Sequence, residues 1–199
     1  VSDDGSGMTP EDMTLAIERH ATSKLAGDDL FDIHTMGFRG EALPSLGAVS
    51  RLSITSRPPG AETAWAILVE GGAAKAPAPA AHSTGTRVEV RDLFYATPAR
   101  LKFLKSDRAE TGQVLDVVKR LAMARPDVGF TLHDGARERL RVAPSAADML
   151  DSRLDRLGAI MGREFAENAL PIEAERDGLR LDGYAGVPTL NRANSLQQY

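Results

Sequence analysis

Cysteine is absent from all 199 residues of the sequence. That excludes disulfides, thiolate zinc sites, iron–sulfur clusters and thiol nucleophiles, and it fits a reducing compartment. No apolar run approaches the roughly 20 residues of a membrane-spanning helix. No basic-then-apolar leader opens the chain, so no signal peptide is expected. Excess positive charge is missing too: 24 Lys and Arg against 28 Asp and Glu leave a net charge of −4. A protein that coats nucleic acid through bulk charge is excluded, although a local basic patch is not. The sequence opens on Val1 rather than Met and stops at Leu196-Gln197-Gln198-Tyr199 without a polar tail, which predicts a fragment of a longer protein. Hydrophobic residues at 42% and charged residues at 26% are ordinary for a globular chain and argue against wholesale disorder. The length suits one domain, or one plus part of a second.

Local patterns divide the chain into recognisable elements. Thr9-Pro10-Glu11-Asp12 predicts a helix start: a hydroxyl to cap, a proline at the first turn and two acids at the positive end of the dipole. Met13, Ala16 and Ile17 then recur at helical spacing. Residues 21–40 lose that period and carry Asp28, Asp29, Gly27, Gly37 and Gly40, which predicts a long loop of the functional kind. A short helix is expected from about Glu41 to Gly47. Strands are expected at 51–56, 63–70 and 86–91, with a Pro-containing loop at 73–81 between two of them. Asp107 and Glu110 suggest a capping box opening a long helix. On it Val114, Val117, Val118, Leu121 and Ala122 are expected to face the core, and Pro126 ends it. Phe130 and Leu132, then Leu140 and Val142, predict a hairpin across Asp134-Gly135. Ser145 is expected to cap a helix carrying Met149, Leu150, Leu154 and Leu157, and 179–186 alternates as a strand. Strands mixed with helices, without a regular βαβ beat, predict an α+β sandwich with helices over one face of a sheet.

Three stretches carry chemistry. The first is Asp3-Asp4-Gly5-Ser6-Gly7, immediately before the capped helix. A fixed carboxylate accepts from an exocyclic amine such as that of adenine, and glycines let the backbone approach a flat base. The same residues also make an ordinary turn. The second is Gly37-Phe38-Arg39-Gly40-Glu41-Ala42-Leu43, where glycines frame an arginine before a helix N-terminus, a natural phosphate cradle or simply a glycine-capped loop. The third, residues 85–100, joins a strand around Thr86, Val88 and Val90 to a rigid turn at Pro98.

In this order the three resemble the ATP-binding motifs of the GHKL superfamily, which includes gyrase-type topoisomerases, heat-shock chaperones and histidine kinases. With Arg19-His20-Ala21-Thr22-Ser23-Lys24 and the turn 94–100, the chain resembles more narrowly the MutL family of DNA mismatch repair proteins. The resemblance covers nearly the whole chain. It implies a Bergerat-type α/β sandwich with a mixed sheet, ATP with Mg2+, slow hydrolysis and dimerisation on ATP binding. Asp3 resembles the adenine-reading aspartate, Gly5 and Gly7 lie at the nucleotide, and Thr86 supports the same pocket through a water. Thr22, Ser23 and Lys24 match the start of an ATP lid, and Gly37, Phe38, Arg39, Gly40, Glu41, Ala42 and Leu43 its end. Asp4 and Ala96 stand where many relatives have Asn.

The resemblance places the general base glutamate and the magnesium-binding asparagine upstream of this chain and a γ-phosphate lysine downstream. No catalytic residue and no metal ligand is therefore expected within it, and Glu41 is not promoted to the base. Residues 1–150 are expected to belong to the ATP-binding domain, and 151–199 to a connector and the start of a ribosomal S5 domain 2-like transducer domain. The implied partners are a second copy, the mismatch-recognition protein MutS, DNA and a downstream nuclease or helicase, with no membrane. The implied location is cytoplasmic, associated with the nucleoid during repair. Two alternatives stand beside this: a non-catalytic DNA- or partner-interaction fragment, or another GHKL ATPase such as a type II topoisomerase subunit. Arg100, Lys102, Lys105 and Arg108 form a local basic cluster, a candidate for DNA phosphates or a solvated helix start. His20, His34, His82 and His133 show no metal-ligand spacing, and Ser6 and Ser45 no hydrolase signature. An exposed sheet edge is expected from the missing upstream strands.

Overall fold

A computed structural model describes residues 1–24, 35–37, 39–145 and 150–190, the side chains of residues 150 and 151 excepted. The chain forms two compact units, Val1–Leu104 and Lys105–Tyr199.

The first unit is built on a sheet. Its elements are β1 (Ser2–Asp3), α1 (Pro10–Ala16), α2 (Ala42–Val49), β2 (Arg51–Arg57), β3 (Ala64–Glu70), β4 (Ala73–Ala74), β5 (Ala78–Ala80), β6 (Gly85–Arg91) and α3 (Pro98–Leu101). The strand order is β1-β6-β2-β3-β4, with β5 also paired to β3. Every described ladder is antiparallel, so the parallel pairings of a mixed sheet are not among the described residues. The Ala/Pro stretch expected as a plain loop instead folds back as β4 and β5 along the edge of β3, where Pro79 costs no interior ladder bond.

Alternation on β2 turns Leu52, Ile54 and Ser56 to one face, all buried. Ile67 and Val69 of β3 join Leu52 and Ile54, and Met13 of α1 closes the cluster, with Met8, Ile17, Leu43, Trp65 and Val88 packed around it. Each fully buried Leu, Ile or Met contributes about 1.5–3 kcal/mol. Helix α1 starts as its sequence predicts: Thr9 Oγ1 accepts from the Asp12 N–H at 3.2 Å and the Asp12 carboxylate accepts from the Thr9 N–H at 3.1 Å, a reciprocal capping box. On the outer side of β6, β1 pairs with Thr86 and Arg87.

The second unit contains α4 (Asp107–Ala124), β7 (Phe130–Asp134), β8 (Arg137–Val142), α5 (Leu150–Met161), α6 (Arg163–Glu167), β9 (Ala169–Arg176) and β10 (Leu179–Gly186). Ala122, Leu140, Val142 and Ile160 form its core, with Leu115, Val118, Met123, Phe130, Leu132 and Met161 against them. Ile160 joins Ala122 and Leu140 in this core, so residues on both sides of position 150 pack together in this unit. On α4 the buried stripe runs through Leu115, Val118 and Ala122. Val114, Val117 and Leu121, expected in the core, are 48%, 55% and 37% exposed. They sit one residue earlier, about 100° round the helix from the packed face.

The N-cap of α4 is Ser106 rather than Asp107, and Glu110 reaches back to the Lys105 N–H at 2.8 Å. The Ser145 hydroxyl donates to Pro126 O at 3.2 Å, and the expected Met149 lies outside the described residues. Among the described residues no helix is long and apolar enough to cross a membrane.

Candidate functional site

Asp3 enters the site from β1, the short strand paired to Thr86 and Arg87 of β6. Its Oδ1 accepts two backbone donors, the Gly5 N–H at 3.0 Å and the Thr86 N–H at 3.2 Å. One oxygen is thus spent on holding the carboxylate still, and both of these bonds leave Oδ2 to a ligand. A two-donor clamp of this kind fixes direction as well as position. Thr86 is itself buried, and its hydroxyl lies 2.9 Å from that of Ser56 on the neighbouring strand β2. The register explains the meeting, since Ser56 and Thr86 are direct cross-strand partners.

Behind this pair the chain turns at Gly7. Its φ is +64°, and a Cβ there would lie 2.4 Å from the carbonyl oxygen of Arg57, so the close approach of this turn to the sheet requires glycine. The next residue, Met8, donates its N–H to Ser56 Oγ at 2.8 Å. Gly7 and Met8 therefore connect the Asp3–Thr86 pair to an open cavity of about 1130 Å³ that they help to line.

The rest of the cavity wall comes from Ser6, from α1 through Asp12, Leu15 and Ala16, and from both ends of the long loop. Thr22, Ser23 and Lys24 contribute one end, and Gly37, Arg39, Gly40, Glu41, Ala42 and Leu43 the other. The two ends are tied together. Lys24 Nζ donates to Met36 O at 3.1 Å, while the Thr35 hydroxyl lies 3.3 Å from Lys24 O and 3.2 Å from Gly37 O. Gly40 passes against the opposite root: at φ +60° its Cβ would lie 2.2 Å from Ala21 O. His20 Nδ1 stands 3.7 Å from Glu41 Oε1 across the same seam, an ion pair when the imidazole is protonated.

Helix α2 begins at this wall with Glu41 as N-cap and no side-chain cap. Its first-turn amides have no intrahelical acceptor, and the dipole points its positive end at the cavity. The wall thus offers an ammonium group and backbone N–H donors, which suit an anion of the phosphate type. The Asp3 end offers oxygen acceptors, which suit an amine.

No protein-family model matches the sequence. Whole proteins and solved structures do. Over 199 residues, the whole of this chain, it is 63% identical to the DNA mismatch repair protein MutL of Rhodospirillum rubrum and 59% identical to that of Paramagnetospirillum magneticum, covering 32% and 33% of those proteins. The Aquifex aeolicus MutL ATPase domain complexed with ADP matches at a TM-score of 0.65 and 28% identity, over 87% of this chain and 58% of that one. A second structure of the ATPase domain from that endonuclease matches at 0.64 and 25%, over 98% and 62%. Along its whole length this chain matches MutL-family proteins. It spans about a third of the length of the MutL relatives it matches. The GHKL fold follows, and the α+β class expected from the element pattern agrees with it.

Within this chain the sequence-derived residues fall into two adjoining groups. Asp3, Gly5 and Thr86 share one hydrogen-bond network. Gly7, Thr22, Ser23, Lys24, Gly37, Arg39, Gly40, Glu41, Ala42 and Leu43 line the cavity. Phe38 lies outside the described residues. Of the basic residues, Arg100 and Lys102 belong to the first unit, Lys105 and Arg108 to the second. Arg100 stacks over the Phe94 ring at 4.7 Å. Sequence reasoning missed Ser56. Its signal was a hydroxyl on the apolar face of a strand, in phase with Leu52 and Ile54, where a buried polar group must find partners.

Proposed function

We propose that this chain is the central part of the N-terminal ATPase region of a MutL-type mismatch repair protein, and that the Asp3 network and the adjoining cavity together hold ATP. The observation that carries the proposal is the polarity of the site. Acceptors fixed by Asp3 stand at one end, and Lys24 with the uncapped start of α2 stands at the other. An adenine amine and a polyphosphate match the two ends. Asp3 reads the base, Gly5 and Gly7 let the backbone approach it, and Thr86 braces the carboxylate. Thr22, Ser23, Lys24 and residues 37–43 form the lid that closes over the phosphates.

The ADP complex of the Aquifex aeolicus MutL ATPase domain supports nucleotide binding. Magnesium enters the proposal with the nucleotide. Among the described residues no group of three or more His, Asp or Glu is placed to hold a metal, and no residue here is assigned to it. Residues 1–150 belong in this reading to the ATP-binding domain and 151–199 to the connector and the start of the transducer. The larger role is that of a switch: weak ATP hydrolysis by the full-length protein, dimerisation of these regions on ATP binding, and relay from MutS on mismatched DNA to a downstream nuclease or helicase in the cytoplasm. Turnover and sedimentation of the full-length protein with Mg·ATP test it. Slow hydrolysis together with nucleotide-dependent association is the expected result. The absence of both turnover and nucleotide-dependent association would set the switch aside.

A further inference from the structure

Ser56 is fully buried, and its single hydroxyl stands at the centre of three contacts. The Met8 N–H lies at 2.8 Å, Gly85 O at 3.1 Å and Thr86 Oγ1 at 2.9 Å. Proton counting settles the pattern. An amide N–H can only donate and a carbonyl oxygen can only accept. Ser56 has one proton, so for all three contacts to be hydrogen bonds that proton must go to Gly85 O. Ser56 then accepts from Met8 with one lone pair and from Thr86 with the other. The Thr86 hydroxyl proton is committed to Ser56, and toward any further partner its Oγ1 can only accept.

Asp3 points the same way, because an ionised carboxylate also only accepts and its Oδ1 is already filled by the Gly5 and Thr86 amides. We infer that Ser56 is a positioning residue for base recognition: it holds the Thr86 hydroxyl as an acceptor, so that the Asp3–Thr86 edge selects a ligand edge carrying N–H donors. The inference rests on the nucleotide reading of this site. It adds a cause for discrimination between a 6-amino-purine and a 6-methoxy-purine, since an ether oxygen would face acceptors with no proton between them.

The experiment titrates the full-length protein with three triphosphates that differ only at purine position 6, ring N1 being unprotonated in each: the 6-amino form (ATP), the unsubstituted purine and the 6-methoxy form. The wild type is expected to bind them in that order, with the methoxy form about tenfold weaker than the unsubstituted one. In Ser56→Ala the Thr86 proton is free to turn and meet the ether oxygen, so this gap narrows while ATP weakens. A purely structural serine would weaken all three by the same factor, and that result overturns the inference, as does a variant that binds all three as the wild type does. If Ser56→Ala does not fold, the wild-type series still decides, because methoxy and unsubstituted forms of equal affinity contradict a fixed acceptor. Asp3→Asn separates the two levels. If it leaves all three affinities unchanged the base site lies elsewhere. If it abolishes them while Ser56→Ala preserves the ratios, the site stands and the role of Ser56 does not.

Discussion

Gly40 shows how one missing side chain shapes the cavity. Its left-handed backbone and its contact with Ala21 O leave no room for a Cβ, and both follow from bringing the two roots of the loop together. Left-handed geometry costs a non-glycine residue about 1–2 kcal/mol before any clash is counted. Gly40→Ala is therefore expected to weaken ATP binding by about tenfold or more in calorimetry, with the sheet core of Met13, Leu52, Ile54, Ile67 and Val69 intact. Unchanged affinity would show that the seam is not part of the site. Residues such as Asp3, Gly7 and Gly40 were legible in the sequence because turn chemistry and family motifs are local. Ser56 was not, because its role depends on the register of β2 against β6, which sets it opposite Thr86 from 30 positions away.

Element boundaries were legible wherever a period or a cap was strong, as for α1, β2, β6 and the β7–β8 hairpin. Strand β9 was not, because its alternation of Leu170, Ile172 and Ala174 is interrupted by Pro171 and flanked by charge. The face of α4 was misread for a related reason. Val114, Val117 and Leu121 are as apolar as the stripe that packs, and only the hairpin beside the helix decides which face is covered. Arg156 of α5 sets that arrangement. It is 4% exposed and donates to Ala122 O at 2.9 Å, Val128 O at 2.6 Å, Arg125 O at 3.4 Å and Ala143 O. Burial lowers its pKa from the usual arginine value, yet four carbonyls at the end of α4 and around the hairpin keep its donors occupied.

Arg156→Met leaves those carbonyls without their donor and is expected to cost the second unit about 3 kcal/mol, read from urea unfolding. A loss under about 0.5 kcal/mol would mean that the staple is ornamental. Acid should act on the same unit. The hydrogen bond from Arg125 holds the Asp127 carboxyl below its ordinary range, and Arg141 does the same for Glu138. A depressed folded-state pKa stabilises above the ordinary carboxylate range, about pH 4, and that contribution is lost as pH falls through the lowered values. Unfolding midpoints between pH 7 and 2 should fall on the acid side, less steeply in Asp127→Asn. A variant with the same acid slope as the wild type would remove Asp127 from the explanation.

At the scale of the molecule, the Asp3–Thr86 network adjoins, at Gly7 and Met8, a cavity of the first unit whose wall includes Lys24 and the start of α2. Composition alone gave little hint of this, since a net charge of −4 summed over the chain does not say where single groups such as Asp3 and Lys24 stand. The measurement that bears most directly on it is calorimetric titration of Mg·ATP into the full-length protein and its Asp3→Asn variant. The wild type should bind, and the variant, which replaces one acceptor oxygen by a donor amide against the adenine amine, should lose binding by about a hundredfold or more. Equal binding by both would contradict the assignment of Asp3 to the base and, with it, the nucleotide site proposed for this fold.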